Sequence, residues 1–339
     1  MECIEKDLSK GINFTRSTAC ILVVILHIAG YGFYENGENW QTANIIDSFT
    51  RVCVPLFIMI TGTLLIQQKS VKPIRRIIKI VYCLLFWSIF YTFADDLQFN
   101  NIIDWCLTIA KAPIKYHLWY LYACIGFYLT LPVLSAFYCN SHLKYSLAYI
   151  AIWFFLSIFS ILDKVLNLNV DLFINNYQLS TFINLTGYLL LGKVIARASI
   201  PYGNKLITTI SLLIFISSSL ITAWITSYWS EYNQKPNALF YSNLSPLVIV
   251  ASASLFFFLL NISKTIKDSN IIISFIPKYT LGIYCIHIFI LEAFIKFSFK
   301  NQDMNLSFFS TIFIAVLIFL TSLVVTFILK KIPILDKVL

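Results

Sequence analysis

Charged side chains are scarce in this chain of 339 residues: Asp, Glu, Lys and Arg together make 12%, against 59% hydrophobic and 17% aromatic residues. That scarcity excludes an ordinary soluble domain, in which roughly a quarter of the residues are charged. Cysteine in a metal or redox pattern is lacking too. No CxxC occurs among Cys3, Cys20, Cys53, Cys83, Cys106, Cys124, Cys139 and Cys285, and most of these fall inside apolar runs. They read as small packing residues, and no metal site is expected. Internal repeats and low-complexity tracts are also missing, which counts against the inverted-repeat transporters. There is no room for a separate soluble domain. No cleavable signal is expected, because the first apolar run carries Arg16 and His27 and has no small-residue cleavage site.

What the chain does have is a succession of apolar windows. Mean hydropathy is +0.79. Runs long enough to cross a bilayer occur at about 14–34, 46–67, 77–95, 117–138, 145–162, 179–196, 206–227, 240–262, 279–297 and 306–329. The expected fold is all-α, a polytopic integral membrane bundle of about ten transmembrane helices forming one domain over 1–339. The formal charge of +9 would suit nucleic acid only if the cations clustered on a folded soluble face. They sit instead in short loops, so the expected partner is the lipid bilayer and not nucleic acid. With the N-terminus inside, eighteen of the 25 Lys and Arg fall on the inner side and seven on the outer, which predicts that both termini are cytoplasmic. The longest gaps are the outer segments 96–116, 163–178 and 228–239, and Ile102–Ala112 suits an interfacial helix.

The first window holds Arg16 and His27 eleven residues apart. At roughly 100° per residue they share one helical face, about 16 Å apart along the axis. Arg16 at a helix mouth can be a topology anchor. His27 is harder to dismiss, since an intramembrane imidazole is expensive to bury and is a functional candidate by default. A cation near one surface and an imidazole near the midplane could hold a charged ligand and do chemistry on its far end. The second window opens with Asp47 and Arg51 and contains Pro55, Thr61 and Gly62. A kinked helix tightly packed at Gly62 is expected, with Arg51 either snorkelling to headgroups or paired with Asp47 or an acceptor.

The loop from Lys69 to Lys79 is the densest cationic segment and includes Arg75 and Arg76. Lys69 and Lys72 read as lipid anchors. Arg76 and Lys79, three residues apart, share a face at the mouth of the third helix and with Arg16 could form an anion pocket for phosphates. The fourth window begins Tyr116-His-Leu-Trp-Tyr-Leu-Tyr122, an aromatic cluster in which His117 and Trp119 could face a sugar. The ninth contains Leu281-Gly-Ile-Tyr-Cys-Ile-His287, with Tyr284 and His287 adjacent on the helix and Glu292 positioned to pair with Lys296. His142, in a short loop, reads as solvated.

Four segments together resemble the membrane acyltransferase-3 family over nearly the whole chain: Arg16-x10-His27, Arg51 through Gly62, Tyr116 through Tyr122 and Leu281 through His287. The resemblance implies a bacterial inner-membrane enzyme that moves an acyl group, usually acetyl, from cytoplasmic acetyl-CoA to a hydroxyl of a surface polysaccharide such as O-antigen, or of its lipid-linked precursor. It implies that His27 is the essential histidine, as general base or acyl relay, with Arg16 its partner. Arg16, Arg75, Arg76 and Lys79 would serve the CoA phosphates, and Lys79 stands where the family usually shows arginine. Thr61, Tyr284 or His287 could stabilise an oxyanion, while Arg51, His117 and Trp119 would shape the acceptor side. A transporter or flippase of a lipid-linked sugar is the competing expectation.

Overall fold

The computed structural model describes residues 2–35, 37–67, 72–166, 184–298, 306–333 and 335–339. Lys69 and the stretch 167–183 lie outside the described residues. Within them every regular element is helical: α1 (Glu2–Glu35), α2 (Trp40–Thr50), α3 (Cys53–Leu65), α4 (Pro73–Ala94), α5 (Ile102–Lys111), α6 (Trp119–Asn140), α7 (Leu143–Leu166), α8 (Gly187–Tyr202), α9 (Lys205–Tyr232), α10 (Pro246–Ile262), α11 (Thr280–Ser298) and α12 (Phe308–Leu329), with short helical turns between them. Nine stretches among the described residues are long and apolar enough to span a bilayer. The tenth expected window, 179–196, corresponds to α8, whose 16 residues from Gly187 to Tyr202 fall just short of a full span.

Two windows differ from their expected bounds. The first helix starts at Glu2 and not near 14. Averaged hydropathy misses this polar beginning, yet Ile12 is 3% exposed and Lys6 and Lys10 both pair with Asp268 at 2.9 and 2.8 Å. Those two ammonium groups, hydrogen-bonded to Asp268, hold its carboxyl down at about 2. The second window is two helices, α2 and α3, with the break at Arg51 and Val52. Pro55 has no amide hydrogen to give the carbonyl of Arg51 four residues earlier, so one helical hydrogen bond is lost at the expected kink, while Arg51 and Val52 keep helical dihedrals and Trp40–Leu65 forms one 26-residue span. The interfacial helix expected at Ile102–Ala112 is present as α5, with Ile102, Ile103 and Leu107 exposed.

Helix α1 is the axis of the bundle, packing against α2, α3, α10, α11 and α12. Outer helices carry apolar stripes that face outward, such as Ile78, Tyr82, Leu85, Ile89 and Phe93 on α4. In water such a stripe would be an aggregation site, and in a bilayer it is the lipid face. One end of the bundle is basic: Lys6 and Lys10 meet Asp268 there, and Lys330 reaches the carbonyl of Lys278 at 2.7 Å. The tightest helix contact joins α3 to α8, where a Cβ on Gly62 would lie 1.9 Å from the Leu189 carbonyl oxygen and one on Gly192 2.3 Å from that of Met59. Only glycine permits backbones this close. Gly62→Ala is therefore expected to lower stability in detergent by about 1–3 kcal/mol, measured by thermal unfolding. Gly126→Ala, inside α6 where a Cβ meets nothing within 4 Å, should not lower the melting temperature.

Candidate active site

The face of α1 that carries Arg16 also carries Val23, His27, Gly30 and Tyr34. Two cavities open along it in series. The one towards the basic end, about 260 Å³, is lined by Arg16 and Val23 together with Thr61, Arg76, Tyr120, Tyr128, Tyr284 and a largely aliphatic wall from α3, α4 and α6. The other, about 540 Å³, is lined by Leu26, His27, Gly30, Tyr31, Tyr34, Arg51 and Tyr116. Arg16 and His27 thus share a face, as their spacing requires, but not a cavity. The single turn from Val23 to His27, about 6 Å of rise, separates the two.

A chain of rings fills that turn. Tyr284 lines the basic-end cavity, and its ring centroid is 6.2 Å from that of His287, which in turn lies 5.1 Å from His27. His117 stands 5.5 Å from His287 and 5.6 Å from Tyr284, while Tyr116 stands 5.5 Å from His27. Three histidines from three separate windows therefore meet in one cluster. Backbone carbonyls fix two of them, because a carbonyl only accepts. The Nδ1–H of His287 is given to the carbonyls of Ile283 and Tyr284 at 3.1 and 2.7 Å, and the Nε2–H of His117 to the carbonyl of Cys285 at 3.2 Å. In the neutral rings this leaves His287 Nε2 and His117 Nδ1 as bare acceptors, and both are buried without a partner. Among the described residues no three His, Cys, Asp or Glu side chains are disposed to hold a metal ion.

The hydroxyls named for oxyanion stabilisation are engaged in the same manner. Thr61 donates to the carbonyl of Phe57 at 2.9 Å, and Tyr284 donates to the carbonyl of His117. Both side chains line the basic-end cavity and not the side expected to hold the acceptor. Arg51 does line the second cavity. Its guanidinium pairs with the fully buried Asp47 and lies 4.5 Å over the ring of Tyr241, whose hydroxyl is given to the carbonyl of Asn44 at 2.7 Å. His117 is buried and lines neither cavity, and Trp119 is 37% exposed and lines neither. Arg75, Arg76 and Lys79 are all exposed, and of the three only Arg76 lines the basic-end cavity. Tyr31, Tyr34 and Tyr116 were not singled out from the sequence as cavity residues. The signal was available for two of them, since Tyr31 and Tyr34 follow His27 by four and seven residues on one helix.

Glu292 pairs with Lys115 at 2.7 Å and not with Lys296 as helical spacing suggested. Lys115 also holds Asp95 at 3.0 Å, and two carboxylates around a half-buried ammonium outcompete one exposed neighbour on the helix.

A helical membrane bundle whose central helix carries Arg16 and His27 into two cavities defines a transmembrane protein with chemistry-bearing side chains in its core. A family model described as an acyltransferase domain, that of the acyltransferase-3 family, matches residues 9–331. The chain belongs to that family and is a membrane acyltransferase. Comparison with curated proteins and with solved structures finds no match.

Burial disfavours the charged form of Lys115, but Glu292 and Asp95 outweigh it, so its pKa is raised above the ordinary 10.5. A raised lysine contributes its full stabilisation below the ordinary value and loses it as pH climbs through the raised one. Lys115→Met is therefore expected to cost about 1–2 kcal/mol near neutral pH, with the gap to the unaltered protein closing in strong alkali. Thermal unfolding across pH measures both.

Proposed function

We propose that this chain is an integral membrane O-acetyltransferase that moves acetyl from acetyl-CoA to a hydroxyl of a surface polysaccharide or its lipid-linked precursor. In this reading it sits in the bacterial inner membrane with the basic end and both termini in the cytoplasm, and it is similar in task to the enterobacterial common antigen O-acetyltransferase. The observation that carries the donor assignment is a pair of guanidiniums in a mostly apolar cavity. Among the described residues neither Arg16 nor Arg76 has a carboxylate within ion-pair distance. A phosphate supplies the missing anion in the planar, bidentate form that arginine favours. The basic end also matches the excess of cations expected on a cytoplasmic face.

The second cavity suits an acceptor. Its one cation, Arg51, is already matched by Asp47, and the remaining polar lining is His27 with three tyrosines, a set suited to stacking on and hydrogen bonding with a sugar. The sugar hydroxyl oxygen attacks the thioester carbonyl carbon while its proton passes to a ring nitrogen of His27. The C–S bond then breaks, and the departing CoA thiolate takes the proton from the imidazolium. For the acetyl end to meet the hydroxyl, the ring of Tyr284 must swing away from His287, which stays on its two helix carbonyls. Tyr284 would serve the oxyanion by exchanging the carbonyl of His117 for it.

Membranes containing the protein are expected to transfer radiolabel from acetyl-CoA to glycan. His27→Ala should reduce that transfer by about 100- to 10,000-fold at unchanged expression. Arg16→Ala and Arg76→Ala should each raise the KM for acetyl-CoA about tenfold or more. Transfer retained in the His27 variant would overturn the catalytic assignment, and an unchanged KM in both arginine variants would move the donor elsewhere.

A further inference from the structure

A histidine that takes a proton on one ring nitrogen must place the N–H of the other against an acceptor, or the ring is free to turn and present the wrong tautomer. Enzymes commonly use a carboxylate or a carbonyl for this. His27 has neither: no hydrogen bond is made by its ring among the described residues, and its nearest polar ring neighbour is His287 at 5.1 Å. On its side His287 has an acceptor with nothing to accept. Its Nδ1–H is held by two carbonyls of its own helix, its Nε2 is buried and unpartnered, and the whole residue is 0% exposed. A buried orphan nitrogen calls for an explanation, and one imidazole lacking an acceptor beside another lacking a donor supplies it.

We propose that His287 is the positioning residue of His27, its Nε2 accepting the N–H of the His27 ring so that the other nitrogen faces the sugar hydroxyl. The two carbonyls that grip Nδ1–H lock His287 in the tautomer that can accept. No proton changes owner between the two rings. As His27 becomes an imidazolium during transfer, the same contact becomes charge-assisted and strengthens, which favours the transition state over the ground state. His117 also has an orphan nitrogen, but its close ring neighbours are His287, Tyr284, Tyr116 and Tyr91 and not His27. This inference rests on His27 acting as the base.

The test compares His287→Gln with His287→Leu in the full-length protein, assayed with radiolabelled acetyl-CoA. Glutamine can donate its amide N–H to the helix carbonyls and offer its amide oxygen to His27, whereas leucine fills similar space and does neither. His287→Gln is expected to keep kcat within about fivefold, and His287→Leu to lose at least about 30-fold in kcat with the KM for acetyl-CoA unchanged. Equal losses in the two variants, or a loss confined to KM, would overturn the positioning role. Should the leucine variant fail to fold, the ¹⁵N spectrum of the histidine-labelled, unaltered protein decides. A single tautomer at His27 with a hydrogen-bonded Nε2 at His287 supports the proposal, and a tautomer mixture at His27 with a free lone pair at His287 refutes it. Activity surviving in His27→Ala would instead remove the underlying reading, so the two failures are told apart.

Discussion

An ionisable side chain inside a lipid-facing bundle must find a partner, a water-filled cavity or a function, because leaving it bare among aliphatic groups costs several kcal/mol. Helix α1 imposes that constraint twice, at Arg16 and at His27, and the surrounding helices are disposed to meet it. The α2–α3 stretch meets these side chains at two points: Thr61 and Phe57 from α3 border the Arg16 cavity, and Arg51 borders the His27 cavity. The α11 helix sends Tyr284 and His287 into the turn between the two. The close approach of Gly62 to Leu189 ties α3 to α8 and so fixes the wall of the first cavity from behind.

The two cavities differ in how their charge is balanced. The Arg16 cavity has two guanidiniums and no carboxylate in ion-pair reach among the described residues, whereas Arg51 in the other is bound to the buried Asp47. A site with unmatched cations attracts an anion, and a site with a matched pair offers donors without a net field. That asymmetry suits a reaction joining a phosphate-bearing donor to a hydroxyl-bearing acceptor.

Much of this was legible in the sequence. Nine of the ten apolar windows match stretches long enough to span a bilayer, Arg51 and Asp47 four residues apart became a pair, and Gly62 became a close approach, all because helical period and residue size are local properties. The polar start of α1 was hidden, since averaged hydropathy is blind to Ile12 on one buried face. Hidden too was the meeting of His27, His117 and His287, which depends on how three separate helices pack. Lys115 with Glu292 shows the same limit in reverse, where a tertiary contact displaced the neighbour that helical spacing offered. The septum between Val23 and His27 could not be read from a shared helical face, which fixes direction but says nothing of what fills the space in front of it.

The most direct measurement is a cryo-electron-microscopy structure of the protein in lipid nanodiscs with bound CoA. Phosphate density against Arg16 and Arg76, with the thiol end directed at Tyr284 and the His27–His287 pair beyond it, is the expected result. CoA seated in the Arg51 cavity, or outside the bundle altogether, would contradict the division of donor and acceptor between the two sides of the septum.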